Sequence, residues 1–381
     1  MAEVPKNLEW SLPVPSVQEL ASQRLEKVPR RYIRADVEDP ITNPSDPSLR
    51  IPLIDMTRLV NLDSRDTELQ KLHSACTDWG VFQLINHGAP NEALRNMKKQ
   101  NQDFFNLPLQ EKKQYAQKPG SIEGYGQAFV ISEEQQLEWC DMIFLKALPI
   151  HNRKLHFWPQ HPQEFRGTLE RYAEEVKRVT VSILEFAMGL GLEAHKFSQA
   201  FQEGKYEVRM NCYPHCPQPE RVIGTSPHAD NSGITLLLEG GDTPGLQFRK
   251  DGCWVFVEPI ANAFVVNIGH IMEIMSNGIY RAPDHRAVVN KWKERLSVVT
   301  FCYPGENAEI GPASELFKSE DPYQKLEYKN RITTEDTSVQ IYLHARQSRA
   351  PAGSPAVKTK TGKEEQKLAS QLAVLLASLQ T

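Results

Sequence analysis

Cysteine is scarce: six residues in a chain of 381. A secreted fold stapled by disulfides uses more per residue, so that class is set aside and reduced thiols are expected. Cys212 and Cys216 lie close together, but no second Cys or His pair follows at finger spacing. Pro214, Pro217 and Pro219 also crowd the segment, so a structural zinc site is not the reading. Long apolar runs are missing as well. The stretch 263–268 is among the longest and falls far short of a bilayer's thickness. The opening MAEVPKNLEW has neither the basic nor the apolar stretch of a secretory signal, so a cytoplasmic protein with no membrane partner is expected. Nor is there an excess of one charge. The net charge is −4 and no basic stripe is evident, which argues against a nucleic-acid partner. No internal repeat is found. What remains is a globular composition, 40% hydrophobic and 24% charged, in a chain long enough for one large domain with attachments or two modest ones. A monomer or weak dimer is expected.

The chain changes character midway. The first 50 residues are rich in proline and charge, with a short helix expected at 17–25 and an irregular connector at 39–49. Ile51-Pro-Leu-Ile-Asp55 reads as a brief strand. Leu69, Leu72, Ala75, Cys76 and Trp79 recur at the spacing of one helical face over 67–80. Gly80 should stop that helix, and Val81-Phe-Gln-Leu-Ile85 should follow as a strand. Further helices are expected at 91–105 and 165–192, the latter placing Leu169, Tyr172, Ala173, Val176, Val179 and Leu184 towards a core. From 208 to 301 the pattern turns to short β-rich runs at 234–238, 246–248, 254–257, 263–268, 287–290 and 296–301. Turn signals such as Lys250-Asp-Gly252 and Ser276-Asn-Gly278 separate them, which suits an antiparallel sandwich or jelly roll. After about residue 346 the chain becomes polar, then closes with Leu368, Leu372, Leu375, Leu376 and Leu379. That is a short amphipathic tail helix, expected to pack on the body or on a partner; its low charge disfavours a membrane surface.

Chemistry concentrates in the β-rich half. In a strand, His228 and Asp230 would project from one face. Alone, a His-x-Asp tripeptide carries little weight. His285 lies well downstream in another β-rich stretch, with room for several strands to leave and return, so a third ligand could come from the opposite side of a barrel mouth. Two imidazoles and one carboxylate form the facial triad of non-haem ferrous oxygenases, which leaves three iron positions open. Arg295 and Ser297 again share a strand face, and a guanidinium fork beside a hydroxyl suits the far carboxylate of a dicarboxylate such as 2-oxoglutarate. Arg209, Asn211 and Tyr213 alternate along one face just upstream. Inward polar groups of this kind in a β-rich core need a ligand or a network to satisfy them. His87 and His215 have simpler readings, as a turn histidine and a surface residue, and Trp79, Trp139 and Trp158 read as packing.

Asn211-Cys-Tyr213-Pro, His228-Ala-Asp230, His285-Arg-Ala-Val and Arg295-Leu-Ser297 together resemble the signature of plant 2-oxoglutarate/Fe(II)-dependent dioxygenases. Trp79-Gly-Val-Phe-Gln83, Asn86-His-Gly88 and Phe104-Phe-Asn-Leu-Pro108 resemble that family's N-terminal domain. Gly124-Tyr-Gly-Gln-Ala-Phe129 with Leu137-Glu-Trp-Cys-Asp141 resembles its senescence-related-like, norcoclaurine-synthase-like and thebaine-demethylase-like subgroup. The resemblance runs from about residue 17 to 344. It implies a mixed α and β fold with a double-stranded β-helix (jelly-roll) core and flanking N-terminal helices. It implies an N-terminal extension over 1–50, a dioxygenase-associated domain over 51–165, a catalytic domain over 166–345 and a tail over 346–381. It places iron on His228, Asp230 and His285, and 2-oxoglutarate on Arg295 and Ser297 with Asn211 and Tyr213 assisting; dioxygen is consumed and ascorbate is supportive. Tyr125, Phe129, Arg209, Phe301 and Tyr303 are the expected walls for a small flat substrate, a flavonoid or an alkaloid, to be hydroxylated or O-demethylated. Arg209 would also suit a carboxylated hormone or precursor.

Departures from the pattern are few. Cys212 stands where the family usually has Tyr, and should point away from Asn211 and Tyr213. His270 follows Gly269 where the family usually has Asp, which implies an altered local hydrogen-bond set. Two rivals stay open: an oxidase of the same fold that uses no 2-oxoglutarate, and a binding protein that keeps the fold without catalysis.

Overall fold

Gly80 decides where the chain leaves its first long helix and enters the strand Val81–Ile85. The preceding helix, Arg65–Ser74, widens into a π-turn over Ala75–Trp79 and stops where Gly80 takes a φ of 66°. A side chain there would be strained, and its Cβ would lie 2.3 Å from the Arg281 carbonyl oxygen. The computed structural model describes residues 12–23, 25–34, 49–118, 121–127, 130, 132–187, 194–306, 308 and 310. The tail helix expected near the C-terminus, and Phe129, lie outside them.

Twelve strands are found in these residues. In chain order they are β1 (Leu53–Asp55), β2 (Val81–Ile85), β3 (Gly124–Gly126), β4 (Asp141–Leu148), β5 (Lys205–Tyr213) and β6 (Thr225–His228). Then follow β7 (Ile234–Glu239), β8 (Leu246–Lys250), β9 (Cys253–Phe256), β10 (Phe264–Ile268), β11 (His285–Ala287) and β12 (Arg295–Tyr303). The larger sheet runs β1-β2-β10-β7-β12-β5-β4-β3, antiparallel except for the β1–β2 pair. The smaller runs β6-β11-β8-β9, antiparallel throughout. β3 and β4 were not foreseen from the sequence. β11 begins earlier than the run expected at 287–290, because its pairing with β6 and β8 starts at His285 itself.

Period-two alternation divides the larger sheet into two faces. Tyr206, Val208, Met210 and Cys212 of β5 join Leu236, Leu238, Val298 and Cys302 in a core shared with the helix Phe165–Ala187. That helix buries Leu169, Tyr172, Ala173, Val176, Val179 and Leu184, each at most 2% exposed, as its spacing requires. Full burial of one such aliphatic side chain contributes about 1.5–3 kcal/mol. On the opposite face, Leu237, Val265 and Val299 meet Leu246, Phe248 and Val255 of the smaller sheet. Two sheets therefore pack face to face, with helices behind the larger one. The N-terminal segment adds a third cluster. Val17, Ala21, Val28 and Tyr32 pack with Trp139, Tyr213, Ala287 and Val289. Buried Asp141 fastens that segment by accepting hydrogen bonds from Ser16 Oγ (2.6 Å), Val17 N (2.8 Å) and Gln18 N (3.0 Å) at the start of the helix Val17–Ser22.

Candidate metal and co-substrate site

His228 closes β6, and Asp230 lies two residues on, just past the strand end. His285 is not across a barrel mouth. It opens β11, the neighbouring strand, and sits directly opposite His228 in register. The two rings lie 4.2 Å apart, and the ring of Phe248 stacks on His285 at 5.1 Å. His228, Asp230 and His285 each offer a ligand atom, and these lie within 4.8 Å of one another.

The two histidines are set up alike. His228 Nδ1 lies 2.8 Å from the Ser226 carbonyl oxygen, and His285 Nδ1 lies 3.2 Å from that of Pro283. A carbonyl only accepts, so each Nδ1 carries a proton, and Nε2 is the ring atom that offers a lone pair when the imidazole is neutral. The Nε2 atoms face Asp230 Oδ1 at 3.5 and 3.6 Å. The other carboxylate oxygen, Oδ2, accepts from Asn267 Nδ2 of β10 at 2.9 Å. Burial works to raise the Asp230 carboxyl. The His285 and His228 rings and the Asn267 bond outweigh it, and the group stays well below the ordinary carboxylate range. Burial, reinforced by the neighbouring His228, pushes His285 down to about 4. Burial acts the same way on His228, but the bond and charge of Asp230 overcome it and raise the group. Two imidazole lone pairs and one ionised carboxylate, each oriented by an outer hydrogen bond, fit a single divalent iron.

A cavity between the sheets carries all three of these residues on its wall, together with Arg209, Asn211, Tyr213, Arg295 and Phe301. Arg295 is 3% exposed, lies over the Tyr213 ring at 5.1 Å and has an unpartnered Nε. An orphaned guanidinium N–H on a cavity wall fits an anionic ligand group. Ser297 is off the wall, fully buried, and accepts from Asn211 Nδ2 at 3.2 Å. Arg209 donates through Nε to Asn211 Oδ1 at 2.7 Å.

The substrate-wall expectations need correction in two places. Tyr125 is in register with Ile143 and so faces the helix-packed core; its hydroxyl donates to Ser16 Oγ (3.3 Å) and Asp141 Oδ2 (3.4 Å), away from the cavity. Tyr303 extends the strand face of Phe301 but lies beyond the cavity wall, beneath Lys205 Nζ at 5.9 Å. Other readings hold. Cys212 is buried in the core behind the sheet, with its thiol 3.2 Å from Glu294. His87 is structural, bonded to the Asn262 carbonyl oxygen and the Ala89 N–H, and His215 is exposed. His270 pairs through Nδ1 with Glu273 at 3.1 Å, and its backbone N–H donates to the Asp230 carbonyl.

Two site residues were missed in the sequence, Asn267 and Glu239. Asn267 stands in an otherwise apolar buried run, Phe264-Val-Val-Asn-Ile268, and Glu239 follows the buried Leu236-Leu-Leu238, and that conflict was the available signal.

Residues 51–164 match the profile of the non-haem dioxygenase in morphine synthesis N-terminal family, and residues 205–304 match that of the 2OG-Fe(II) oxygenase superfamily. The chain belongs to the 2OG-Fe(II) oxygenases. It is 46% identical to oxoglutarate-dependent flavonoid 7-O-demethylase 1 of Ocimum basilicum, over 83% of this chain and 85% of that protein. It is 43% identical to codeine O-demethylase of Papaver somniferum, over 82% and 88%. Among solved structures, that of JOX2 in complex with 2OG, Fe and JA superposes with a TM-score of 0.74 at 35% identity, covering 82% of this chain and 90% of that one. The jelly-roll expectation therefore stands, and the enzyme is an iron(II)- and 2-oxoglutarate-dependent dioxygenase. It acts on a small molecule. No helix among the described residues is long and apolar enough to cross a membrane.

Proposed function

We propose that the oxygenase holds its iron through Nε2 of His228, Nε2 of His285 and the Asp230 carboxylate, and hydroxylates or O-demethylates a flavonoid- or alkaloid-like metabolite. One observation carries the site assignment: three ligand atoms of the right chemistry converge within 4.8 Å on the wall of a cavity that also presents a buried arginine. Arg295 receives the far carboxylate of 2-oxoglutarate, with Tyr213 beneath the guanidinium and Asn211, braced by Ser297, on the same wall. When bound, iron and 2-oxoglutarate supply dioxygen activation, one oxygen atom passing to the substrate and the other to succinate, with loss of carbon dioxide. The protein orients the co-substrate; Leu237, Val299 and Phe301 supply the apolar wall against which a flat substrate lies. Where an O-methyl carbon is the one placed for reaction, its hydroxylated product separates into formaldehyde and a free hydroxyl group. The substrate class is supported by the demethylase names of the relatives and by that wall.

Arg209 on the cavity wall favours a second reading, oxidation of a carboxylated hormone or precursor. One screen tests both. Methoxylated flavonoids, alkaloids and carboxylated hormone precursors are incubated with Fe(II), 2-oxoglutarate and ascorbate, and products are identified by mass. Substrate-dependent succinate is expected; product formed with iron and dioxygen but without 2-oxoglutarate would sink the reading.

A further inference from the structure

The Arg295 guanidinium does not wait for its ligand alone. Its Nη2 donates to Glu239 Oε1 at 2.7 Å, and the two side chains are 3% and 6% exposed. Glu239 ends β7 in register with Ser297, which in turn is in register with Asn211. The fork, the hydroxyl and the amide thus share one patch of the inner sheet face. The pair is incompletely satisfied: Arg295 Nε and Glu239 Oε2 are both buried without a hydrogen-bond partner. Half-buried Lys98 interacts electrostatically with Glu239 but makes no hydrogen bond or ion pair with it. A guanidinium has donors to spare for a second acceptor, so Glu239 does not block the site. It fixes the plane of the fork and cancels the fork's charge.

We propose that Glu239 is the residue that sets how tightly, and how selectively by charge, this enzyme takes its 2-oxo acid. The inference rests on the placement of the far carboxylate at Arg295. An arriving dicarboxylate brings a second negative group to a guanidinium already shared with Glu239. At the separations one guanidinium imposes, two carboxylates in a partly desolvated site repel strongly enough to cost roughly tenfold to a hundredfold in affinity. A 2-oxo acid ending in an uncharged amide escapes that penalty. The wild-type site is therefore a weak discriminator between 2-oxoglutarate and its far-end monoamide.

Anaerobic calorimetry on the Fe(II)-loaded protein, with no organic substrate, tests this without turnover. Wild type should bind 2-oxoglutarate no more than about tenfold tighter than the monoamide. Glu239→Gln, which keeps an oxygen acceptor for the guanidinium and removes the charge, should tighten 2-oxoglutarate by about tenfold or more and leave the monoamide within about threefold. Should that variant not accumulate folded, Glu239→Ala is read the same way, and the wild-type comparison needs no variant. Unchanged or weaker 2-oxoglutarate binding in the folded variant, or a wild-type preference above about a hundredfold, overturns the proposal. Arg295→Leu separates the two levels. If it leaves 2-oxoglutarate affinity intact, the co-substrate does not sit on Arg295 and the underlying placement fails; if it abolishes binding while Glu239→Gln changes nothing, only the role of Glu239 fails.

Discussion

Replacing Asn267 by Leu should loosen the metal without unfolding the sheet. Asn267 sits in β10 with its amide donating to Asp230 Oδ2 at 2.9 Å, and Asp230 is only 4% exposed. Removing a hydrogen bond to a buried charged acceptor costs about 1.5–3 kcal/mol. Asp230 would then be free to rotate about its side-chain torsion, and its ligand oxygen would spend less time facing the two imidazoles. Metal affinity should fall by about 10- to 100-fold, the range seen for outer partners of metal ligands. Leu has the same branched shape as Asn and suits the apolar run Phe264–Ile268, so the loss of global stability should stay within that same range, about 1.5–3 kcal/mol. The measurement is an anaerobic titration with Fe(II), or with Mn(II) as a redox-quiet stand-in, beside a denaturant melt. A folded variant whose metal affinity stays within about threefold of wild type would refute the role given to Asn267.

His228→Ala should abolish iron-dependent turnover; persistent activity would show that the ligand set is wrong. Metal should stabilise the fold by mass action, about 2.7 kcal/mol at a hundredfold excess over Kd, and the chelator-reversible rise in Tm should vanish in His285→Ala. Asp141→Ala leaves the first N–H groups of the helix Val17–Ser22 and the Ser16 hydroxyl without their acceptor. It should cost about 2 kcal/mol and open residues 16–23 to protease; unchanged proteolysis would remove the anchoring role. Gly80→Ala combines a left-handed φ with a 2.3 Å approach to the Arg281 carbonyl, and should destabilise by at least about 2 kcal/mol in a urea melt.

The sequence was most readable where one physical demand acts alone. The helix Asn91–Phe105 and the strand Val81–Ile85 match their expected bounds, because an apolar stripe and a glycine stop leave little choice. Leu169 through Leu184 fell on one face for the same reason. β3 and β4 escaped because their identity depends on pairing, β4 with β5 and β3 with β4, a match across the chain that local pattern does not report. The ligands His228, Asp230 and His285 were legible by residue type, but not their geometry. Adjacency of β6 and β11 is a property of topology, and Asp230 lies beyond the end of β6, where no strand pairing fixes it. Tyr125 was misplaced because a motif names residues without saying which sheet face they take; its register with Ile143 turns it inward to the helices. Asn267 and Glu239 show the converse, polar residues whose partners become visible only once the strands are laid side by side.

The anchored N-terminal segment has a consequence for how the protein assembles during synthesis. Val17 and Tyr32 share a hydrophobic cluster with Ala287 and Val289, so a segment made before the sheets completes its packing only after they are made. Its cluster is not complete until those late residues have left the ribosome, and part of its apolar surface stays uncovered in the interval. Tyr213, part of the cavity wall, belongs to the same cluster, so closure of the site and docking of the N-terminus belong to one late event.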